Sequence, residues 1–154
     1  MPSLFDVAGA VQRLEIPDAD VTLQPRYLDA TESVALFSCL RAQTPWLAET
    51  FVIHGKAMPV PRLQSWMGDP AGEYLYSGVN HVPVPWTPTL LALRERIERV
   101  TSARYTNVLV NLYRDGRDSV AWHSDDERVL GPEPVIASLS LGAIPNWVPV
   151  QGPS

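Results

Sequence analysis

His123 and Asp125 stand two residues apart in the segment Asn111–Glu127, NLYRDGRDSVAWHSDDE. An imidazole and a carboxylate at that spacing are the first two donors of a 2-His-1-carboxylate iron site, which leaves coordination positions open for a co-substrate and O₂. Val120 and Trp122 precede them as apolar alternates and place His123 at the end of a strand. Asp125, Asp126 and Glu127 follow in a row, and such a run of carboxylates repels itself unless a cation or a basic partner offsets it. On residue chemistry alone, a metal site and a solvated acidic turn both remain open. A facial triad needs a third ligand, normally a distal histidine. No histidine follows His123, and the other two, His54 and His81, precede the motif and read as loop residues.

Elements must bring these groups together. Thr31–Gln43 predicts a first helix, with Asp29 or Thr31 as its cap and Val34, Phe37 and Leu40 at helical spacing. Thr89 to about Thr101 predicts a second, with Thr87 as N-cap, Pro88 at the first helical position, and Leu90, Leu93, Ile97 and Val100 in one apolar stripe. Strands are expected over Thr50–Lys56, Leu63–Met67, Val108–Tyr113, Ser119–Trp122 and Val135–Leu141, with a tight turn at Asp115-Gly116. The 15 prolines fall in groups that mark the connections between short elements, since proline is excluded from central strands and helix interiors. The pattern is an N-terminal α/β portion followed by antiparallel strands, and a jelly roll is the common all-β host for an internal metal site.

Composition bounds the rest. A chain of 154 residues suggests one domain. A net charge of −5 argues against a surface coated in basic residues, although the arginines cluster in sequence at 94–104 and 114–117. The single Cys39 cannot form an internal disulfide and sits in an apolar run, which suits a reducing compartment. No stretch approaches the ~18 apolar residues of a membrane span, and the N-terminus lacks a basic start followed by an apolar block. The expectation is a cytoplasmic, soluble monomer.

The segment NLYRDGRDSVAWHSDDE, followed after Arg128 and Val129 by LGPEPVIASLSLGA, closely resembles the AlkB-type Fe(II)/α-ketoglutarate-dependent nucleic-acid dealkylases. Upstream, VPRLQSWMGD at Val60–Asp69, YLYSG at Tyr74–Gly78 and PWTPTLLALRERIE at Pro85–Glu98 resemble the same family in the same order, so the similarity spans roughly Phe51 to Ala143. The resemblance implies an α+β, mainly β fold: a double-stranded β-helix, or jelly roll, with N-terminal helices packed on its sheet. It divides the chain into an N-terminal α/β cap (1–48), substrate-lid hairpins and a helix (49–106), the start of the metal-binding jelly roll (107–142) and a divergent tail (143–154). His123 and Asp125 would be iron ligands, and Asn111 and Tyr113 would bond α-ketoglutarate. Asp126 and Glu127 would lie at the damaged base, where an acceptor can take a hydrogen bond from an exocyclic amine. Tyr74 and Tyr76, spaced i and i+2, would line the pocket for a flipped base, although the spacing alone equally suits a cross-strand aromatic pair in a hairpin. Arg62 and Lys56 are candidates for phosphate contact. The cofactors implied are Fe(II), α-ketoglutarate and O₂, and the partner is alkylated DNA or RNA, with no membrane.

The resemblance departs at Ile144. Members of the family continue with a distal histidine and an arginine that clamps the far carboxylate of α-ketoglutarate, a task suited to guanidinium geometry. Here no Arg, Lys or His follows Arg128, so the final strands are expected to be missing through truncation or a shifted frame. The expected activity is oxidative demethylation of bases such as 1-methyladenine and 3-methylcytosine, with this chain poorly active or inactive. Its rivals are a non-catalytic remnant of the family and an oxygenase of the same fold acting on a protein or small molecule.

Overall fold

A computed structural model describes residues 9–70, 74–76, 79–81, 83–121 and 133–142; over 74–76 and 79–81 the description covers the backbone. The chain divides into two units, residues 1–39 with 139–154, and residues 40–138.

The first unit contains a hairpin that the sequence reading did not anticipate. Strand β1 (Gln12–Ile16) pairs antiparallel with β2 (Ala19–Leu23), Ile16 lying opposite Ala19. Pro17 presets the first corner of the turn, and Asp18 takes the left-handed conformation at φ 59°. Helix α1 (Ala30–Gln43) begins in this unit and ends in the next. Its start is a reciprocal capping box. The Glu32 N–H donates to Asp29 Oδ1 at 2.8 Å, and the Asp29 N–H donates to Glu32 Oε2 at 3.4 Å. Asp29 rather than Thr31 is therefore the cap.

The second unit holds the remaining elements. The strand expected over Thr50–Lys56 is instead a hairpin, β3 (Thr50–Ile53) against β4 (Lys56–Pro59). The reason is local: His54 at φ 49° and Gly55 at φ 77° form a two-residue turn with both corners left-handed, which matches the twist of paired strands. Strand β5 (Leu63–Gly68) is the central element, for it bonds on both sides. Along one edge it pairs antiparallel with β8 (Asn107–Leu112), and along the other it meets Leu47 and Val84 in isolated bridges. Between them in sequence lie the hairpin β6 (Tyr74–Tyr76) and β7 (Val79–His81), and helix α2 (Pro88–Thr101). Thr87 caps α2 as expected, its Oγ1 accepting from the Leu90 N–H at 3.3 Å with Pro88 in the first turn.

The β5–β8 register sorts side chains onto two faces. Leu63, Ser65 and Met67 lie opposite Leu112, Val110 and Val108; Gln64, Trp66 and Gly68 lie opposite Asn111, Leu109 and Asn107. Met67 is fully buried and Leu90 of α2 nearly so, the buried apolar core among the described residues. A cavity of about 70 Å³ remains between α2 and β8, lined by Leu90, Leu93, Ile97, Tyr105 and Val108 among others.

The described strands form four two-stranded antiparallel sheets, and among the described residues no barrel closes. Of the expected strands Ser119–Trp122 and Val135–Leu141, residues 119–121 and 135–141 form no ladder with any described residue, and Trp122 lies outside the described residues. Val135 and Ile136 have β-prone side chains but are 63% and 53% exposed, and a strand forms only where a neighbour completes its hydrogen bonds. Among the described residues no helix is long and apolar enough to cross a membrane.

Gly68 is dictated by this packing. A Cβ there would stand 2.6 Å from Asn107 Oδ1 and 3.1 Å from the Thr106 carbonyl. The side chain could turn away, but the carbonyl belongs to the chain entering β8. Gly68→Ala is expected to destabilise the protein by about 1–3 kcal/mol, the usual cost of overpacking. A urea midpoint equal to that of the wild type would show that the strands separate freely here.

Candidate functional site

The expected iron ligands His123 and Asp125, and the expected base contacts Asp126 and Glu127, lie outside the described residues. Among the described residues no group of three or more His, Cys, Asp and Glu side chains is arranged to hold a metal. What the structure describes is the platform that precedes the motif in sequence.

That platform is a polar network on the Gln64/Asn111 face of β5 and β8. Arg62, just before β5, donates from Nε to Gln64 Oε1 at 3.1 Å and to Asn111 Oδ1 at 3.3 Å. Its Nη1 donates to the Ser119 carbonyl at 3.1 Å. Gln64 Nε2 in turn donates to Glu49 Oε2 at 2.9 Å. The planar guanidinium is suited to this, because its rigid fork can serve several acceptors at once. Arg62 was expected at a phosphate; the contacts its guanidinium makes are to these protein acceptors, through Nε and Nη1. Asn111 was expected at α-ketoglutarate. With its Oδ1 turned to Arg62, the amide is oriented, and Nδ2 is its remaining donor end. Tyr113, the first residue past β8, is 44% exposed.

The chain between β8 and the motif is held at two points. Arg114 makes a bidentate pair with Asp118, Nε–Oδ2 at 2.7 Å and Nη2–Oδ1 at 2.9 Å, and its backbone N–H donates to the same carboxylate at 2.8 Å. Arg117 pairs with Asp115 at 2.8 Å across the expected turn. Beyond the turn, the Ser119 N–H donates to the Pro61 carbonyl at 2.8 Å. The entry to the His123 segment is thus tied beside Arg62 without a continuous strand.

The hydrogen bonds from the Arg114 side chain and backbone hold the Asp118 carboxyl at about 2, below its ordinary 3.8. The sign follows: the pair favours the folded state above the unfolded carboxylate value, and that contribution is lost as pH falls from there through about 2. Following the Asp118 carboxyl carbon by NMR should give a midpoint near 2, rising toward 3.8 in Arg114→Gln. An unshifted wild-type midpoint would mean that the turn is not closed in solution.

Tyr74 and Tyr76 lie on β6, opposite His81 and Val79 of β7. The hairpin expected from their spacing is therefore present. His81, expected in a loop, is a strand residue, and His54 is at a hairpin turn. Lys56 follows that turn as the first residue of β4. The sequence reading did not single out Glu49 or Gln64. Alternation along RLQSW places Arg62, Gln64 and Trp66 on one side, a signal available in the sequence, but their meeting with Asn111 needs the β5–β8 register.

Comparison with known proteins adds a separate line of findings. Residues 20–145 match the family model of the 2OG-Fe(II) oxygenase superfamily. The chain is 43% identical over 124 residues to "Alpha-ketoglutarate-dependent dioxygenase alkB homolog 3" of Mus musculus, an alignment covering 80% of this chain and 43% of that protein. For the Homo sapiens protein of the same name the identity is 41%, with the same coverage. "DNA oxidative demethylase ALKBH2" of Mus musculus is 43% identical over 96 residues, covering 62% of this chain and 40% of the relative. The chain spans less than half the length of the relatives it matches.

Proposed function

We propose, for a chain that belongs to the AlkB type of the 2OG-Fe(II) oxygenase superfamily, that it is built for oxidative removal of N-linked methyl groups from nucleic-acid bases. The observation that carries this reading is the oriented Asn111 amide, on the strand that precedes the H-x-D motif in sequence. Arg62 holds Asn111 Oδ1 at 3.3 Å, which leaves an N–H donor on the strand that leads to His123. A donor is what the carboxylate of a 2-oxo acid requires.

The donor chemistry suits the group that the family uses. A neutral imidazole and a carboxylate are ordinary ligands of Fe(II), and His123 and Asp125 would hold it. When bound with 2-oxoglutarate and O₂, the iron supplies the oxidising equivalent that hydroxylates an N-methyl carbon. The residues of the chain have simpler tasks. Asn111 and Tyr113 bind the co-substrate by hydrogen-bond donation. Tyr74 and Tyr76 wall the base pocket, and Asp126 and Glu127 accept from an exocyclic amine. Arg62 orients Asn111 and ties Ser119 beside it. After hydroxylation the hemiaminal carbon leaves as formaldehyde and the base keeps its nitrogen, while the co-substrate leaves as succinate and CO₂. A cytoplasmic monomer acting on alkylated DNA or RNA is the corresponding biological setting.

The test is binding and turnover together. The protein should bind Fe(II), and His123→Ala should weaken that binding by about two orders of magnitude or more, as expected when a protein ligand to the metal is removed. It should also prefer a 1-methyladenine oligonucleotide over its unmethylated counterpart. Equal affinity for the two oligonucleotides, with iron bound, would favour the same chemistry on another class of substrate.

A further inference from the structure

We infer that Asp69, Trp86 and Arg94 form a clasp that positions the β6–β7 hairpin and thereby sets the selectivity of the base pocket. The inference rests on the reading of Tyr74 and Tyr76 as pocket residues. None of the three clasp residues has a role in that reading.

The argument begins with topology. The chain leaves β5 at Gly68 and returns to the same strand at Val84, with the hairpin between. At the root of this excursion the Gly68 N–H donates to the Val84 carbonyl at 3.0 Å, and the Val84 N–H donates to the Trp66 carbonyl at 2.9 Å. The Asp69 N–H donates to the Thr106 carbonyl at 3.0 Å, which fixes Asp69 against the entry to β8. The departing and returning strands are therefore side by side, and one pair of bridge bonds alone would leave them free to splay.

Asp69 closes the root. Its Oδ1 accepts from Trp86 Nε1 at 3.0 Å and from Arg94 Nη1 at 3.1 Å. The first bond joins the two ends of the excursion across 17 residues. The second joins them both to α2, and the Arg94 guanidinium lies 4.8 Å from the centroid of the Trp86 ring, within cation–π range. One carboxylate oxygen, one indole and one guanidinium thus make a triangle in which each member touches the other two. The Arg94 side chain is 22% exposed and that of Asp69 43%, so the contacts are partly shielded from water and from salt.

A short hairpin cannot set its own orientation, since two strands of three residues have too little interface to be stable alone. Its placement follows from where its root is held. Loosening the clasp should leave α2 and the β5–β8 pair in place and release the hairpin, a local opening rather than global unfolding.

The experiment is amide hydrogen exchange on the whole chain, with binding to methylated and unmethylated oligonucleotides in parallel. Asp69→Ala should speed exchange in β6 and β7 roughly tenfold or more, the effect of losing a charge-assisted bond, with α2 amides unchanged. The same variant should lose the preference for the methylated oligonucleotide while keeping its affinity for the unmethylated one. Asp69→Asn retains the acceptor oxygen and should rescue both. Trp86→Phe keeps the ring beneath Arg94 but removes the N–H, and provides the same test if Asp69→Ala fails to fold. Unchanged exchange in β6 and β7 overturns the inference. So does an unchanged methyl preference in Asp69→Ala when Tyr74→Ala and Tyr76→Ala abolish it. If the tyrosine variants also keep the preference, the pocket assignment is what fails, and the inferred control of selectivity falls with it while exchange still reports on the clasp.

Discussion

Asp125→Ala is expected to lower demethylase turnover by about two orders of magnitude or more. In the proposed site His123 and Asp125 are metal donors, and the carboxylate of Asp125 is the one that carries charge. Removing one charge partner from a shielded site typically costs about 3–5 kcal/mol, and each ~1.36 kcal/mol is tenfold in rate or affinity. Asn111 and Tyr113, which address the co-substrate in the same reading, are left intact by this substitution. The assay is release of succinate and formaldehyde from a 1-methyladenine oligonucleotide with iron and ascorbate. Turnover equal to that of the wild type would show that other groups hold the metal.

Arg62→Ala should produce the largest loss of stability among single substitutions in the described part of the site. Three acceptors lose their donor at once: Gln64 Oε1, Asn111 Oδ1 and the Ser119 carbonyl. Gln64 is only 9% exposed, so water replaces the bond poorly there. Hydrogen bonds from a charged donor contribute about 1.5–3 kcal/mol each, with partial compensation by solvent on the exposed side, and a total of about 2–4 kcal/mol follows. Arg62→Lys should recover only part of this, because an ammonium group lacks the planar fork that reaches divergent acceptors. Urea unfolding with an unchanged slope reads the effect directly. The same variant should weaken 2-oxoglutarate binding, since the Asn111 amide is no longer oriented. If Arg62→Ala unfolds at the wild-type midpoint, the network is a surface arrangement without energetic weight.

Local chemistry was legible without coordinates. Thr87-Pro88 announces the start of α2 because a hydroxyl cap and a proline at the first turn are properties of neighbouring residues. The H-x-D spacing and its flanks pointed to the superfamily for the same reason, since ligand spacing is written along the chain. The hairpin at Pro17-Asp18 was harder. Its turn carries no Asn-Gly or Asp-Gly signature, and a left-handed φ, as at Asp18, is uncommon for a side chain with a Cβ. Val135–Leu141 has the composition of a strand but no partner among the described residues, and apolar β-branched residues form a strand only when a partner completes the ladder.

Tertiary structure alone decided which polar residues meet. Arg62 and Asn111 are 49 positions apart, Asp69 and Arg94 are 25, and nothing in either segment marks the other as its partner. The β5–β8 register brings Gln64 opposite Asn111 and Gly68 opposite Asn107. A slip of one residue would send each of these side chains to the other face. Sequence by itself determined the donor types and the helix that carries Arg94. The register of one long-range strand pair determined that Arg62 meets the Asn111 amide, because hydrogen-bond partners are selected by distance in space and the chain records only distance along itself.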